Sequence, residues 1–250
     1  MKQRKKIIVI FIAYNAAKTI ESFYKTFPRQ FSDEIILVDD CSKDDTYKIS
    51  KRLGIQAYRN PINLGYGGNM KKAFDIAMGK KADIIIDIHP DGEYIPTAIP
   101  KALKKIHEGN QLVLGNRFSS LTLPIKNGMR IWKLIPLRLL NSLDSLVFGV
   151  RLKDFHQGFR VYTSDLLNKL NFHENSNDYL FSFEIIAQAI FIKAKISQVP
   201  VETSYTGKKR GASLKNSIKY SLGTFKVLFM FILAKLGFRI RLFRKKLQKI

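Results

Sequence analysis

The sequence predicts an α/β fold, a Rossmann-like single domain built from repeated β-α-β units. Over the first 115 residues, short apolar runs alternate with segments of helical periodicity, which is the signature of such units. The chain has 250 residues and 46% apolar content, enough to bury one full core and too much for a disordered chain. No internal repeat or low-complexity segment interrupts this pattern.

The strands and helices of the first half follow one another in order. Strands are predicted on short apolar runs at Ile7–Ile12, Glu34–Val38, Ile55–Tyr58, Ile84–Ile88 and Leu112–Leu114. Helices are predicted between them at about Ala17–Thr26, Asp44–Arg52, Tyr66–Met78 and Pro96–His107. Pro96 suits a first helical turn, and Asp44 and Asp45 suit the positive end of a helix dipole.

After Phe118 the alternation stops. Residues Leu123 to Val150 are apolar and basic, include Trp132 and Pro136, and predict an interrupted amphipathic helix. A strand at about Phe159–Tyr162, a helix at Asp178–Lys193 and a strand at Ile196–Val201 are predicted next, and we expect them to pack on the same sheet. We therefore predict one domain over residues 1–215, followed by a helical extension over residues 216–250.

The composition indicates a reducing compartment and an anionic partner. The single cysteine, Cys41, excludes a disulfide scaffold, and the apolar run Ile7–Ala13 lacks a cleavage site and reads as a strand. The net charge is +23, and the segment from Thr203 to Ile250 carries thirteen Lys and Arg and no acidic residue. A balance this basic favours nucleic acid, anionic lipid or a phosphorylated substrate as partner.

The C-terminal segment predicts an amphipathic helix that lies in a membrane interface. One helical face collects the large apolar residues Leu222, Phe225, Leu228, Phe229, Ile232 and Leu236. Lys215, Lys219 and Lys226 are expected on the opposite face. The uncharged core, Val227–Ala234, is far shorter than the roughly 20 residues that span a bilayer. We expect peripheral or monotopic binding to the cytoplasmic face of the cell membrane, with packing on the protein's own core as the alternative.

Polar residues follow each of the first four strands. They are Ala13-Tyr14-Asn15, then Asp39-Asp40, then the Gly-rich segment Asn63 to Lys72, then Asp87 to Tyr94. The carboxyl ends of parallel strands meet at one sheet edge, where open α/β folds bind ligands. The Gly-rich turn leads into a helix with Lys71 one turn inside, which could neutralise a phosphate. At the fourth strand, Asp and His side chains could hold a divalent cation, and the cation a diphosphate.

The order of these motifs resembles family 2 glycosyltransferases, most closely the dolichol-phosphate-mannose-synthase-like branch. The resemblance is carried by Ile12-Ala13-Tyr14-Asn15, Leu37 to Ser42, Asn63 to Gly67, His89 to Tyr94, Gly115 to Phe118, Asp154 to Arg160, Val199-Pro200-Val201 and Gly211-Ala212-Ser213. It covers roughly residues 7 to 220. It implies a GT-A fold, a nucleotide-sugar donor, an inverting transfer and a polyprenyl-phosphate or other cell-envelope glycan acceptor.

The resemblance also assigns residues to the donor and the metal. Donor-binding residues would be Ala13, Tyr14, Asn15, Asp39, Asp40, Asn63, Gly65, Gly67 and Lys71. Asp91 matches the second Asp of the family's D-x-D metal motif, His89 takes the place of the first, and Glu93 stands where Gln is usual. A His ligand would shift the preferred ion from Mg²⁺ toward Mn²⁺. The family's Asn-Glu after the first strand is Asn15-Ala16 here.

The acceptor side is assigned in the same way. Residues implied for an acceptor phosphate are Arg117, Arg160, Lys208, Arg210 and Ser213. A hydroxyl acceptor needs a general base, whereas an ionised phosphate needs only cations. The candidates for a base are Asp178 and Glu184, which could equally serve helix capping and solvation, and His156, although a histidine in a turn is more often structural.

Two other functions stay open at this point. A nucleic-acid-binding protein would use the positive charge, but the basic tail lacks a groove-reading motif and its aromatic residues share the apolar face. A degenerate relative would bind nucleotide-sugar without turnover, which His89 and Ala16 suggest. A homo-oligomer is compatible with each of these functions.

Overall fold

The structure is a computed structural model that describes residues 4–120, 125, 129, 131–204 and 214–244. One seven-stranded sheet runs through it. Its strands are β1 (Ile7–Ala13), β2 (Glu34–Asp39), β3 (Gln56–Arg59), β4 (Ile84–Asp87), β5 (Leu112–Asn116), β6 (Arg160–Thr163) and β7 (Ile196–Pro200). Every strand predicted from the sequence is present, with bounds that differ by one or two residues.

The strand order is β3-β2-β1-β4-β6-β5-β7. Strands β1 to β4 pair in parallel, so their carboxyl ends share one edge. Strand β6 runs antiparallel to both β4 and β5, and β7 is parallel to β5. The reversed strand β6 follows the break in the β-α-β pattern after Phe118, and it brings the start of β6 beside the end of β4.

Helices cover both faces of the sheet. They are α1 (Ile20–Thr26), α2 (Thr46–Arg52), α3 (Gly65–Gly79), α4 (Ile99–His107), α5 (Ile131–Phe148), α6 (Ser164–Lys169), α7 (Phe181–Phe191) and α8 (Leu214–Lys235). The predicted helix at Pro96 opens as a 3-10 turn, Pro96–Ala98, before α4 begins. Pro136 lies inside α5. Along β1, Ile8, Ile10 and Ile12 join the core under α3 and α7, while Val9 and Phe11 join the core under α1 and α4.

The C-terminal helix α8 belongs to the same core. Val227 and Phe231 are 0% and 2% exposed, and the chain then turns back so that Phe243 packs on Phe191 and Phe231. The boundary predicted at 215/216 therefore falls inside α8. The face opposite the apolar stripe, where lysines were expected, is buried and apolar. Lys219 and Lys226 are exposed and flank the stripe.

A second face of α8 is apolar and exposed. The exposed apolar ridge consists of Ile218, Leu222, Phe225, Phe229, Ile232 and Leu236, which are 43–71% exposed. Leu228, expected in this stripe, is instead buried at 4%. By length and composition alone, Ser217–Lys235 could cross a membrane, which revises the expectation that the segment is too short. Helix α5 packs against α8 and also exposes Ile135, Leu139 and Leu146.

Candidate functional site

The loops after β1 and β2 form one hydrogen-bonded unit at the carboxyl edge of the sheet. The Asn15 N–H donates to Ser42 Oγ at 2.8 Å, and the Lys43 N–H donates to Asn15 Oδ1 at 2.9 Å. Asn15 has a φ of +54°, a left-handed conformation that Asn tolerates better than most residues. The loop leaves Tyr14 46% exposed. Tyr14 therefore presents an aromatic face at the point where a nucleoside was predicted.

The predicted nucleoside-binding carboxylates are buried. Asp39 is 0% exposed, accepts from the hydroxyl and N–H of Ser42, and pairs with Arg59 Nε at 3.3 Å. Burial raises the pKa of its carboxyl. Asp40 is 3% exposed, and its Oδ1 accepts from Asn60 Nδ2 at 2.9 Å and the Leu64 N–H at 2.8 Å. Through these contacts both aspartates hold the loops at this edge of the sheet in place. A direct contact of either aspartate with the donor stays a prediction.

The Gly-rich turn holds a neighbouring loop. The Gly67 N–H donates to the Asn177 carbonyl at 2.8 Å, and a Cβ on Gly65 would lie 2.5 Å from that oxygen. Lys71 Nζ donates to the Asn175 carbonyl and, at 2.8 Å, to Asn177 Oδ1. Asn63 donates to the Asp40 carbonyl. These contacts give Gly65, Gly67 and Lys71 a packing role, and donor binding by these residues stays a prediction.

The turn after β4 rests on a buried ion pair. Asp87 is fully buried, and its Oδ2 lies 3.4 Å from Arg160 Nη1 across the β4–β6 pair. Burial raises the pKa of Asp87, and Arg160 opposes that shift. His89 Nε2 points inward, 3.4 Å from Tyr66 Oη and 3.8 Å from Asp87 Oδ1. Any metal bond from His89 would therefore come from Nδ1.

Asp91 is the best-placed carboxylate for a metal. It is half-buried in the turn, and its Oδ1 accepts the Glu93 N–H at 2.9 Å. Burial raises the pKa of Glu93, with Arg117 opposing that shift. Among the described residues, no group of three His, Cys, Asp or Glu side chains converges on one point. The predicted ligand set of Asp91, His89 and Glu93 therefore does not form a closed protein site. An open carboxylate of this kind fits a Mg²⁺ or Mn²⁺ ion that completes its shell with phosphate oxygens.

The two arginines predicted for an acceptor phosphate are both engaged inside the protein. Arg117 is 8% exposed, and its Nε and Nη2 donate to the two oxygens of Asp154 at 2.8 and 2.9 Å. Arg160 is 2% exposed and also donates to the Gln157 carbonyl. Both guanidinium groups are largely shielded from solvent and each neutralises a buried carboxylate, and contact of either with an acceptor phosphate stays a prediction. Lys208, Arg210 and Ser213 lie outside the described residues.

The two acidic candidates for a base differ in exposure. Asp178 is 51% exposed, and its Oδ2 lies 3.6 Å from Lys219 Nζ on α8. Glu184 is 5% exposed and accepts from the N–H and hydroxyl of Ser176 at 2.6 and 2.7 Å. Burial raises the pKa of Glu184. Asp178 is therefore open to a ligand, whereas Glu184 holds the loop that carries Asp178.

Sequence reasoning missed the polar residues beneath the site. Tyr66 Oη bonds Ser182 Oγ at 2.9 Å and reaches His89, and burial raises the Tyr66 pKa to about 12. Asp144 and Tyr220 bond the two ring nitrogens of His156. A polar residue within an apolar helix, such as Asp144 in α5, is the one signal that points to such partners, because a buried charge needs one.

Comparisons with known proteins identify the family of the chain. Residues 8–170 match the sequence model of a family described as Glycosyl transferase family 2. The UDP-N-acetylglucosamine–dolichyl-phosphate N-acetylglucosaminyltransferase of Methanococcus voltae is 28% identical, over 93% of this chain and 97% of that protein. The polyprenol monophosphomannose synthase of Mycolicibacterium smegmatis is 23% identical, over 85% of this chain and 79% of that protein.

A solved structure supports the fold. Glucosyl-3-phosphoglycerate synthase from Mycobacterium tuberculosis, in complex with Mn²⁺, uridine diphosphate and glucosyl-3-phosphoglycerate, superposes with a TM-score of 0.69 at 19% identity. The match covers 95% of this chain and 82% of that one. The predicted GT-A fold is thereby confirmed.

Proposed function

The chain belongs to glycosyl transferase family 2, and we propose that it transfers a sugar from a nucleotide-sugar to a polyprenyl phosphate at a membrane surface. The observation that carries this proposal is the position of α8. Its outer face is the exposed apolar ridge, while Lys219 on its flank lies 3.6 Å from Asp178. A lipid held by this helix would bring its headgroup to the carboxylate edge of the sheet.

Two relatives support the choice of acceptor. The Methanococcus voltae and Mycolicibacterium smegmatis proteins are named for transfer to dolichyl phosphate and for a polyprenol monophosphate product. Both match this chain over most of its length. A peripheral or monotopic position on the cytoplasmic face of the cell membrane suits such a substrate, because polyprenyl chains stay in the bilayer.

The donor side would be formed by the loops after β1 and β2. Tyr14 would stack on the base, and the unit around Asn15, Asp39 and Asp40 would fix the nucleoside by its shape. The residue that would hold a divalent cation is Asp91, with His89 Nδ1 as a second candidate. A bound Mn²⁺ or Mg²⁺ would supply Lewis-acid stabilisation of the departing diphosphate.

The transfer itself would be an in-line displacement. A phosphate oxygen of the acceptor forms the new bond to the anomeric carbon, the bond from that carbon to the donor diphosphate breaks, and the configuration inverts. Because the phosphate is already ionised, no general base is needed. Lys219, together with the basic segment that follows β7, would attract that anion. The exposed Asp178 would serve as base only for a hydroxyl acceptor.

The test uses the full chain with vesicles of anionic phospholipid that contain polyprenyl phosphate. A panel of nucleotide-sugars is supplied with Mn²⁺ or Mg²⁺, and sugar in the lipid phase is measured together with released nucleotide. We expect lipid-linked sugar with one donor and loss of product when the cation is chelated. Donor binding without product, with every cation, would instead support the catalytically degenerate relative that His89 and Ala16 suggest.

A further inference from the structure

A buried histidine joins helices α5 and α8 to the loop beside the candidate metal turn. The His156 side chain is 4% exposed. Its Nε2 lies 2.8 Å from Asp144 Oδ2 on α5, and its Nδ1 lies 2.9 Å from Tyr220 Oη on α8. The ring also stacks on Phe183 of α7, with centroids 5.3 Å apart and planes at 19°. One imidazole therefore contacts three helices.

The partners set the direction of both hydrogen bonds. When Asp144 is ionised its carboxylate only accepts, which places the ring proton on Nε2, pointing to Asp144. In a neutral imidazole Nδ1 then accepts, and the Tyr220 hydroxyl donates to it. Asp144 is fully buried, so losing His156 would remove the hydrogen-bond donor of a buried carboxylate. This pair therefore holds the Tyr220 hydroxyl of α8 beside the loop that carries His156.

The backbone around His156 reaches the candidate site. Its carbonyl accepts from Arg117 Nη2, whose guanidinium also binds Asp154. Two residues further on, a Cβ on Gly158 would lie 2.8 Å from the Tyr94 ring and 3.4 Å from His89 Cε1. The 154–160 loop is thus in direct contact with the turn that carries His89 and Asp91. A displacement of α8 would therefore change the position of that turn through the 154–160 loop.

We propose that His156 is a positioning residue, and that its ring holds α8 in register with the 154–160 loop so that docking of α8 on a membrane sets the turn at His89–Glu93 for transfer. This inference rests on the proposed function. In this role His156 links the membrane-docked helix α8 to the candidate site and does not itself contact substrate.

The sharpest variant is Tyr220→Phe, which deletes one hydroxyl and keeps the ring. We expect it to bind anionic vesicles as the parent does and to keep the donor KM. Its kcat for transfer to polyprenyl phosphate in vesicles should fall by up to about tenfold, the effect of one hydrogen bond. Tyr24→Phe on α1 removes a hydroxyl far from α8 and should change nothing. An unchanged kcat in Tyr220→Phe, or a donor KM that rises in proportion, would overturn the inference.

Two substitutions of His156 separate positioning from bulk packing. His156→Gln can still donate to Asp144 and accept from Tyr220, so it should retain more transfer than His156→Leu. Equal losses in the two folded variants would contradict a hydrogen-bonded role. If His156→Leu fails to fold, His156→Gln is compared with Tyr220→Phe. His156→Gln can keep both hydrogen bonds and Tyr220→Phe deletes one, so the inference requires the smaller loss of kcat in His156→Gln.

Hydrogen–deuterium exchange tests the coupling without any acceptor. Vesicles of phosphatidylglycerol should slow exchange in the peptide that covers residues 154–160 of the parent, and Tyr220→Phe should lose that protection while still sedimenting with the vesicles. Equal protection in both proteins would end the inference. A parent that shows the protection and yet forms no lipid-linked sugar would contradict the proposed function and leave the coupling in place.

Discussion

At the scale of single residues, the site is a set of carboxylates with different surroundings. Asp39 and Asp87 are fully buried, and each is paired with an arginine. Asp91 is half-buried, with one oxygen bonded to a backbone N–H of its own turn. A buried, paired carboxylate cannot be removed without stranding its partner, whereas a turn carboxylate can be neutralised without disturbing the core. Structural and functional roles can therefore be separated by substitution.

Asp91→Asn should abolish cation-dependent transfer and leave the fold intact. The change keeps the shape of the side chain and removes only the charge that would hold a cation. Since cation stabilisation of a leaving group contributes several kcal/mol, we expect kcat to fall about 100-fold or more. Transfer assays with Mn²⁺ and with Mg²⁺ measure the loss, and Asp45→Asn, an exposed residue before α2, is the matched control. Full activity in Asp91→Asn would remove Asp91 from the site.

Glu184→Gln should change how stability depends on pH. Burial raises the folded pKa of Glu184, so its contribution to the free energy of unfolding is complete below the unfolded pKa. That contribution is lost as pH rises through the folded pKa. Urea unfolding from about pH 4 to about pH 8 should show a steeper loss of stability in the parent than in Glu184→Gln.

Glu108 provides a control of opposite sign. Its carboxylate is exposed and bonded to Lys105, which lowers its pKa, so its small contribution is present at high pH and is lost as pH falls. Glu108→Gln should leave the loss of stability at rising pH unchanged. Parallel pH curves for the parent and Glu184→Gln would mean that the pKa of Glu184 is the same in the folded and unfolded protein.

At the scale of elements, the contact between the start of α3 and the 175–178 loop positions the exposed Asp178. A Cβ on Gly67 would meet the Ser176 carbonyl and lie 2.7 Å from Phe181 Cβ. Gly67→Ala should therefore push this loop away and destabilise the protein by about 2 kcal/mol, as overpacking does. Thermal unfolding measures that loss. Gly79→Ala, near the end of the same helix with nothing within 4 Å, should be neutral or slightly stabilising.

The strands were predictable because each is a short apolar run that ends in polar residues, and the first four motifs do meet at one edge. The role of the Gly-rich turn was not predictable. A turn into a helix with Lys71 has the same local pattern whether it binds a phosphate or a carbonyl. Its real partners, Asn175 and Asn177, lie over 100 positions away in sequence. The carboxylate partners of Arg117 and Arg160 were not predictable for the same reason, since they come from other elements.

At the scale of the whole molecule, α8 combines two features that the sequence suggested were alternatives. One face completes the core through Val227 and Phe231, and the other is the exposed apolar ridge. The periodicity showed a single stripe, because apolar residues on both faces of a helix blur the contrast that defines a stripe. Truncation after Ser221 would therefore remove core residues as well as the ridge. Membrane binding has to be tested by substitutions on the outer face.

Leu222→Gln combined with Phe229→Gln should release the full chain from anionic vesicles without unfolding it. The two side chains are 64% and 62% exposed, so burying them in lipid contributes affinity that glutamine cannot supply, about 1 kcal/mol or more each. Cosedimentation at low and high salt measures the loss. The flanking lysines should leave weak binding to the vesicles that is detected only at low salt.

Ile62→Gln is the control for this experiment, since Ile62 is equally exposed at 63% and lies in the loop before α3. It should sediment as the parent does. A double variant that still binds at high salt would move the membrane contact to the exposed residues Ile135, Leu139 and Leu146 of α5. A parent that never sediments would end the membrane proposal, because the exposed ridge would then need another partner.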